Sequence, residues 1–108
     1  MLAMITLYLR ARTTDRRALE DFLADAAPVY EAPGGITVRL QWSQADPSEF
    51  LEVIEYADQA GFDADNQRVA TDPAMIALLH RWHTLLEGSP SVSAFTEVPI
   101  ARAPSRAP

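Results

Sequence analysis

The chain has 108 residues and a net charge of −6 at neutral pH, a length typical of one domain. Its nine basic residues are all arginine and it has no cysteine, so Schiff-base chemistry, a lysine base, thiol nucleophiles, disulfides and cysteine-ligated metals are excluded. The acidic balance leaves no basic footprint for nucleic acid.

Met4 to Ala11 alternates, with Ile5, Leu7, Leu9 and Ala11 on one side and Met4, Thr6, Tyr8 and Arg10 on the other, and so predicts a first strand. The apolar start "MLAMITLYL" has no basic leader or small-residue cleavage site. No stretch approaches the ~20 apolar residues of a membrane span. The expectation is a cytoplasmic protein with no membrane partner.

Thr13–Asp15 offers N-cap candidates for a helix whose apolar stripe is Leu19, Phe22, Leu23, Ala26 and Tyr30. Pro28 predicts a kink or an early end there. "APGG" (Ala32–Gly35) is a stop and turn. A second strand sets Ile36, Val38, Leu40 and Trp42 against Thr37, Arg39, Gln41 and Ser43. After the turn "ADPSE", the third strand runs from Phe50 to Tyr56, with Leu51, Val53 and Glu55 opposite Phe50, Glu52, Ile54 and Tyr56. A short helix is expected around Phe62–Val69. Asp72 and Pro73 then make an N-cap and first turn for a longer helix to Glu87. Ser91–Val98 alternates as a fourth strand, and residues 99–108, rich in proline, alanine and arginine, read as a disordered tail after a single domain over 1–98.

The order βαββ(α)αβ predicts an α+β fold of the ferredoxin-like type: a four-stranded antiparallel sheet with helices on one face. Both registers of the sheet carry bulk, including Tyr8 and Phe95 opposite the main apolar register. A second copy of the chain is the simplest cover for the other face.

The functional candidates begin with "LLHRWHTLLEG" (Leu78–Gly88), which holds both histidines. At 100° per residue Trp82 lies at the centre of an apolar arc, first of all a core tryptophan. His83 falls on the shoulder of that arc, where it could line a cavity and act as an acid–base group. His80 points towards solvent near Glu87, and the group reads as a salt-bridge cluster rather than a metal site. Tyr30, in mid-stripe, faces the sheet as core or as a cavity phenol. Arg39 either pairs with Glu55 across strands or stabilises a substrate oxyanion. Trp42 and Tyr56 read as sheet-packing or interface aromatics. No G-x-S-x-G, phosphate loop or H-E-x-x-H occurs.

The segments "MITLYLRART", "YEAPGGITVRLQWSQADPSEFLEVIEYAD" and "AGFDADNQRVATDPAMIALL", covering Met4 to about Val98, resemble the antibiotic biosynthesis monooxygenase-like domains of the dimeric α/β-barrel superfamily. The resemblance implies a homodimer with facing sheets and a ligand cavity between sheet and helices in each subunit. It also implies cofactor-free oxidation of a small aromatic or polyketide-like molecule, or a non-catalytic binding or accessory role on the same fold. His83, Arg39 and Tyr30 are then the candidate catalytic contacts, and Trp82, Tyr56 and Asn66 the candidate ligand-binding residues. Haem-degrading relatives use an asparagine on the first strand and a tryptophan on the short helix. This chain has neither, Asn66 being its only asparagine, and only the long-helix histidine that such relatives also use has a counterpart, in His80 or His83, so neither a haem nor another cofactor is expected.

Overall fold

A computed structural model of the protein describes residues 3–104. Strand β1 spans Ile5–Arg12 and is followed by helix α1, Arg16–Glu31. Asp15 starts the helix by accepting the Ala18 N–H at 3.0 Å. The helix runs on through Pro28 to Glu31, so the early end expected at the proline does not occur. Pro28 sits in the last turn, and the carbonyl it leaves without a donor belongs to Ala24, which is exposed and open to water. Gly34 and Gly35 reverse the chain with φ of +86° and +70°, values that side chains resist.

Strands β2 (Ile36–Trp42) and β3 (Glu49–Tyr56) form the hairpin. Helix α2 spans Gln59–Thr71, longer than its apolar positions suggest, because Asp58 caps it at Gly61 a turn earlier. Asp72 and Pro73 open helix α3, Pro73–Thr84, as expected, with the Ala74 N–H bound to the Asp72 carboxylate at 2.9 Å. Helix α3 stops before Glu87, where the Glu87 N–H donates to the Arg12 carbonyl. Strand β4 covers Ser91–Thr96. Residues 99–104 form no helix or strand, and the remainder of the expected tail lies outside the described residues.

The sheet order is β2-β3-β1-β4, antiparallel throughout, which is the ferredoxin-like arrangement. The register pairs Ile5 with Tyr56, Leu7 with Ile54, Leu9 with Glu52 and Ala11 with Phe50. These residues therefore share the face that the helices cover. Leu19, Phe22, Leu23 and Ala26 of α1, with Met75 and Trp82 of α3, pack onto Phe50 and Ala11 as one core. A second cluster gathers Ile5, Ile36, Ile54 and Tyr56.

The opposite face carries Tyr8, Arg10, Arg39, Leu51, Val53, Glu55 and Phe95. Tyr8 meets Phe95 edge to face with ring centres 5.5 Å apart, yet Phe95 stays 59% exposed. No helix of the described residues is long and apolar enough to cross a membrane.

Candidate active site: a carboxyl at the wall of an apolar cavity

Between the sheet and the helices lies a cavity of about 140 Å³. Its floor is Leu7 and Leu9 of β1 with Glu52, Ile54 and Tyr56 of β3. Tyr30 from the end of α1, Asp65, Asn66 and Val69 from α2, and Met75, Leu79 and Trp82 from α3 complete the wall. Five elements thus converge, two strands and three helices, as small-molecule sites between layers do.

Glu52 is the ionisable group of the floor. It stands in the helix-facing register, between Leu9 of β1 and Leu40 of β2. The residue is only 3% exposed, and burial raises its carboxyl from an ordinary 4.5 to about 7. The Trp82 indole N–H lies near enough to favour the anion and partly offset that rise. It does not complete a hydrogen bond: both Glu52 Oε1 and Trp82 Nε1 are buried without a partner among the described residues. Buried polar atoms are nearly always paired, so a donor and an acceptor left just short of a bond are unusual in a fold.

The two tyrosines behave differently from Glu52. Burial first, and then the charge of Glu52, push the Tyr30 phenol well above its ordinary range. Tyr56 is raised by burial and by its bond to Asp65, to which its hydroxyl donates at 2.5 Å. Both therefore stay protonated at neutral pH, and Tyr56 donates to Asp65, while Glu52 is poised between its two forms.

Asp65 is itself held. Arg68 donates to its Oδ1 from Nε at 3.1 Å and from Nη2 at 2.9 Å. The same guanidinium donates to the carbonyls of Val29 and Tyr30, at 3.1 and 2.8 Å. One arginine thus joins the end of α1 to α2 and, through Asp65 and Tyr56, to β3.

The structure brings Tyr30, Trp82, Tyr56 and Asn66 to the cavity and leaves Arg39 and His83 outside it. Arg39 is on the outer face of the sheet because it alternates with the inward Val38 and Leu40, and there it pairs with Glu55. His83 is exposed. Its Nδ1 lies 2.8 Å from the Leu79 carbonyl, and its ring packs edge-on against Trp82 from the solvent side. His80 is exposed as well, and no cluster of three or more potential metal ligands occurs among the described residues. Trp42 joins the core beside Phe50 rather than the outer face, with the Arg16 guanidinium over its ring. Sequence reasoning missed Glu52 and Asp65. For Glu52 a signal existed: a lone carboxylate between Phe50, Ile54 and Tyr56 in one strand register.

The sequence matches no protein-family model and no curated protein. Solved structures do match over nearly the whole chain. SnoaB, a cofactor-independent oxygenase from Streptomyces nogalater, is 15% identical with a TM-score of 0.72, over 91% of this chain and 96% of its own. A candidate antibiotic biosynthesis monooxygenase from Caulobacter crescentus is 19% identical with a TM-score of 0.72, over 91% and 92%. NE2512 of Nitrosomonas europaea, a protein of unknown function, is 27% identical with a TM-score of 0.62, over 96% and 97%. The class defined here is an α+β domain with a cavity between sheet and helices. Its fold, more particularly, is that of the antibiotic biosynthesis monooxygenase-like domains.

Proposed function

We propose that the protein is a cofactor-independent monooxygenase-like enzyme that oxidises a small aromatic molecule inside this cavity. The observation that carries the reading is the buried Glu52 carboxyl, one oxygen unpartnered, on the wall of a mainly apolar chamber. With its pKa near neutrality it is matched to taking a proton from an acidic O–H or C–H of the substrate. The Tyr30 phenol is placed to hydrogen-bond the anion that results. An electron-rich ring can then supply all four electrons that dioxygen needs. A ring C–H becomes C=O with one oxygen atom, the hydroxyl becomes the second C=O, and the other oxygen leaves as water. The size of the chamber favours a small aromatic over a larger polyketide-like molecule.

Half-buried Tyr8 and exposed Phe95 on the outer face support a homodimer joined through that face. A chain without cysteine suits the reducing cytoplasm.

Oxygen consumption over a panel of phenols, hydroquinones and anthrones tests the activity. The wild type is expected to turn over at least one of them, and Glu52→Gln to lose roughly a hundredfold or more, the usual worth of a general base. No uptake with any member would leave the second reading, a binding protein without catalysis, which the mainly apolar chamber also supports.

A further inference from the structure

We propose that Trp82 is the positioning residue of Glu52: its indole N–H takes the closed oxygen of the carboxylate and aims the other at the chamber. The inference rests on the reading of Glu52 as the base of the proposed reaction, and names what holds that base.

Glu52 Oε1 and Trp82 Nε1 are both buried without a partner among the described residues, one an acceptor and the other a donor. They lie close enough for the indole to act on the carboxyl, yet just short of a bond. Solvent reaches neither atom, so each has only the other to turn to. Glu52 nonetheless lines the chamber. With Oε1 shut away beside Trp82, Oε2 is the oxygen left to meet a guest.

The pair also joins two layers, Glu52 standing on β3 and Trp82 on α3. Phe50, two residues before Glu52 on the same face, meets the Trp82 ring edge to face at 6.5 Å. His83 meets it edge-on from the solvent side, so the indole plane is held between two rings. The other side-chain bonds of α3, from His83 and Thr84, stay within the helix. The proton on Glu52 decides whether the bond across the layers closes. A protonated carboxyl offers only a neutral acceptor, and hydrogen bonds to an ion are roughly twice as strong as neutral ones. Loss of the proton leaves a buried charge that needs a donor, and Trp82 is a donor within reach. The bond favours the anion, so the indole offsets part of the rise that burial imposes on Glu52. It thereby keeps the base available in its charged form near neutral pH.

Few other charges face Glu52. Tyr30 from α1 and Tyr56 from its own strand are held protonated, chiefly by burial. Asp65 on α2 is paired with Arg68, and Arg81 on α3 acts on Tyr30. Leu9 and Leu40, its neighbours on β1 and β2, carry no charge. His80 and His83 lie on the solvent side of α3. Histidines change charge near neutral pH, and the His83 ring touches Trp82, so the test separates it from Glu52.

The test is an NMR titration of the full chain, with isotopic labels in the glutamate carboxyls and in the tryptophan indoles. The Trp82 N–H signal is expected to move with the same midpoint as the Glu52 carboxyl, about 7, and to lose that step in Glu52→Gln. Trp82→Phe should raise the Glu52 midpoint by roughly one to two pH units, the worth of a hydrogen bond to an ion. The pH profile of oxygen uptake should shift by the same amount. Should Trp82→Phe fail to fold, the indole signals of the wild type and of Glu52→Gln decide alone. An indole signal blind to the Glu52 step would overturn the inference, as would a step kept in Glu52→Gln and therefore owed to His83. So would a Glu52 midpoint that stays or falls in Trp82→Phe, which would make the indole a seal against water and not a donor. Linked titrations without oxygen uptake uphold the pairing while removing the oxygenase reading. Uptake with unlinked titrations does the reverse.

Discussion

Replacing Glu52 by glutamine is expected to stabilise the protein above neutral pH while impairing its site. In the unfolded chain the carboxyl titrates at its ordinary 4.5, whereas in the fold it holds its proton up to about 7. Between those values the native state binds more protons than the unfolded one. Stability contributed by the protonated group is therefore full below pH 4.5 and is lost as pH rises towards 7. The separation corresponds to a total loss of about 3 kcal/mol, since a residue only 3% exposed gains little from solvent screening. Glutamine is neutral throughout and escapes this loss. The difference in unfolding free energy between wild type and Glu52→Gln should thus shift by about 3 kcal/mol from pH 4.5 to pH 8. In a domain of this size that is a change in Tm on the order of 10 °C. Urea unfolding of both proteins at pH 4.5, 6 and 8 measures it, and groups that titrate alike in the two cancel. If the difference were the same at pH 4.5 and pH 8, Glu52 would not be carrying a burial penalty, and its role as a base poised near neutrality would fall with it. A gain in stability bought by losing the site is the usual sign of a strained functional residue.

Tyr56→Phe removes the donor to Asp65 and should cost about 1 to 2 kcal/mol in urea unfolding; an unchanged midpoint would show that Arg68 alone satisfies Asp65. His83→Ala and Arg39→Ala should leave oxygen uptake on the best substrate of the panel within about twofold, because neither lines the cavity. A tenfold loss in either would return that residue to the site. Phe95→Glu, on the exposed outer face, should convert a dimer mass in light scattering to a monomer mass, and a wild-type monomer at micromolar concentration would refute pairing through that face.

Local chemistry made most of the fold legible. Period-two alternation marked all four strands, and Asp15 and the Asp72–Pro73 pair fixed two helix starts. The site was legible only in part. Alternation already set Arg39 opposite Val38 and Leu40, but one strand cannot say which face the helices will cover. His83 sits on the shoulder of an apolar arc, and whether a shoulder is covered depends on neighbours remote in sequence. Here Trp82 and Leu79 line the chamber with Tyr30 and Val69, and His83 stays outside it. Asp65 was hidden by the polar composition of α2. Its burial comes from Tyr56 and Arg68 reaching it from either side, a long-range fact for the former and a local one for the latter.

The Arg68 junction also gives the chamber a stiff side and a compliant one. The Tyr56 hydroxyl, the Asp65 carboxylate and the Tyr30 backbone carbonyl are tied into a single hydrogen-bonded frame through Arg68. Across from them stand Met75 and Leu79, held by packing only, with a thioether that adapts to irregular shapes. A guest slightly too large would therefore expand the space towards Met75 and Leu79 and leave the β3 floor in place. Substituents on the ring are tolerated or refused according to whether they point at the yielding wall, and selectivity between isomers follows from that direction.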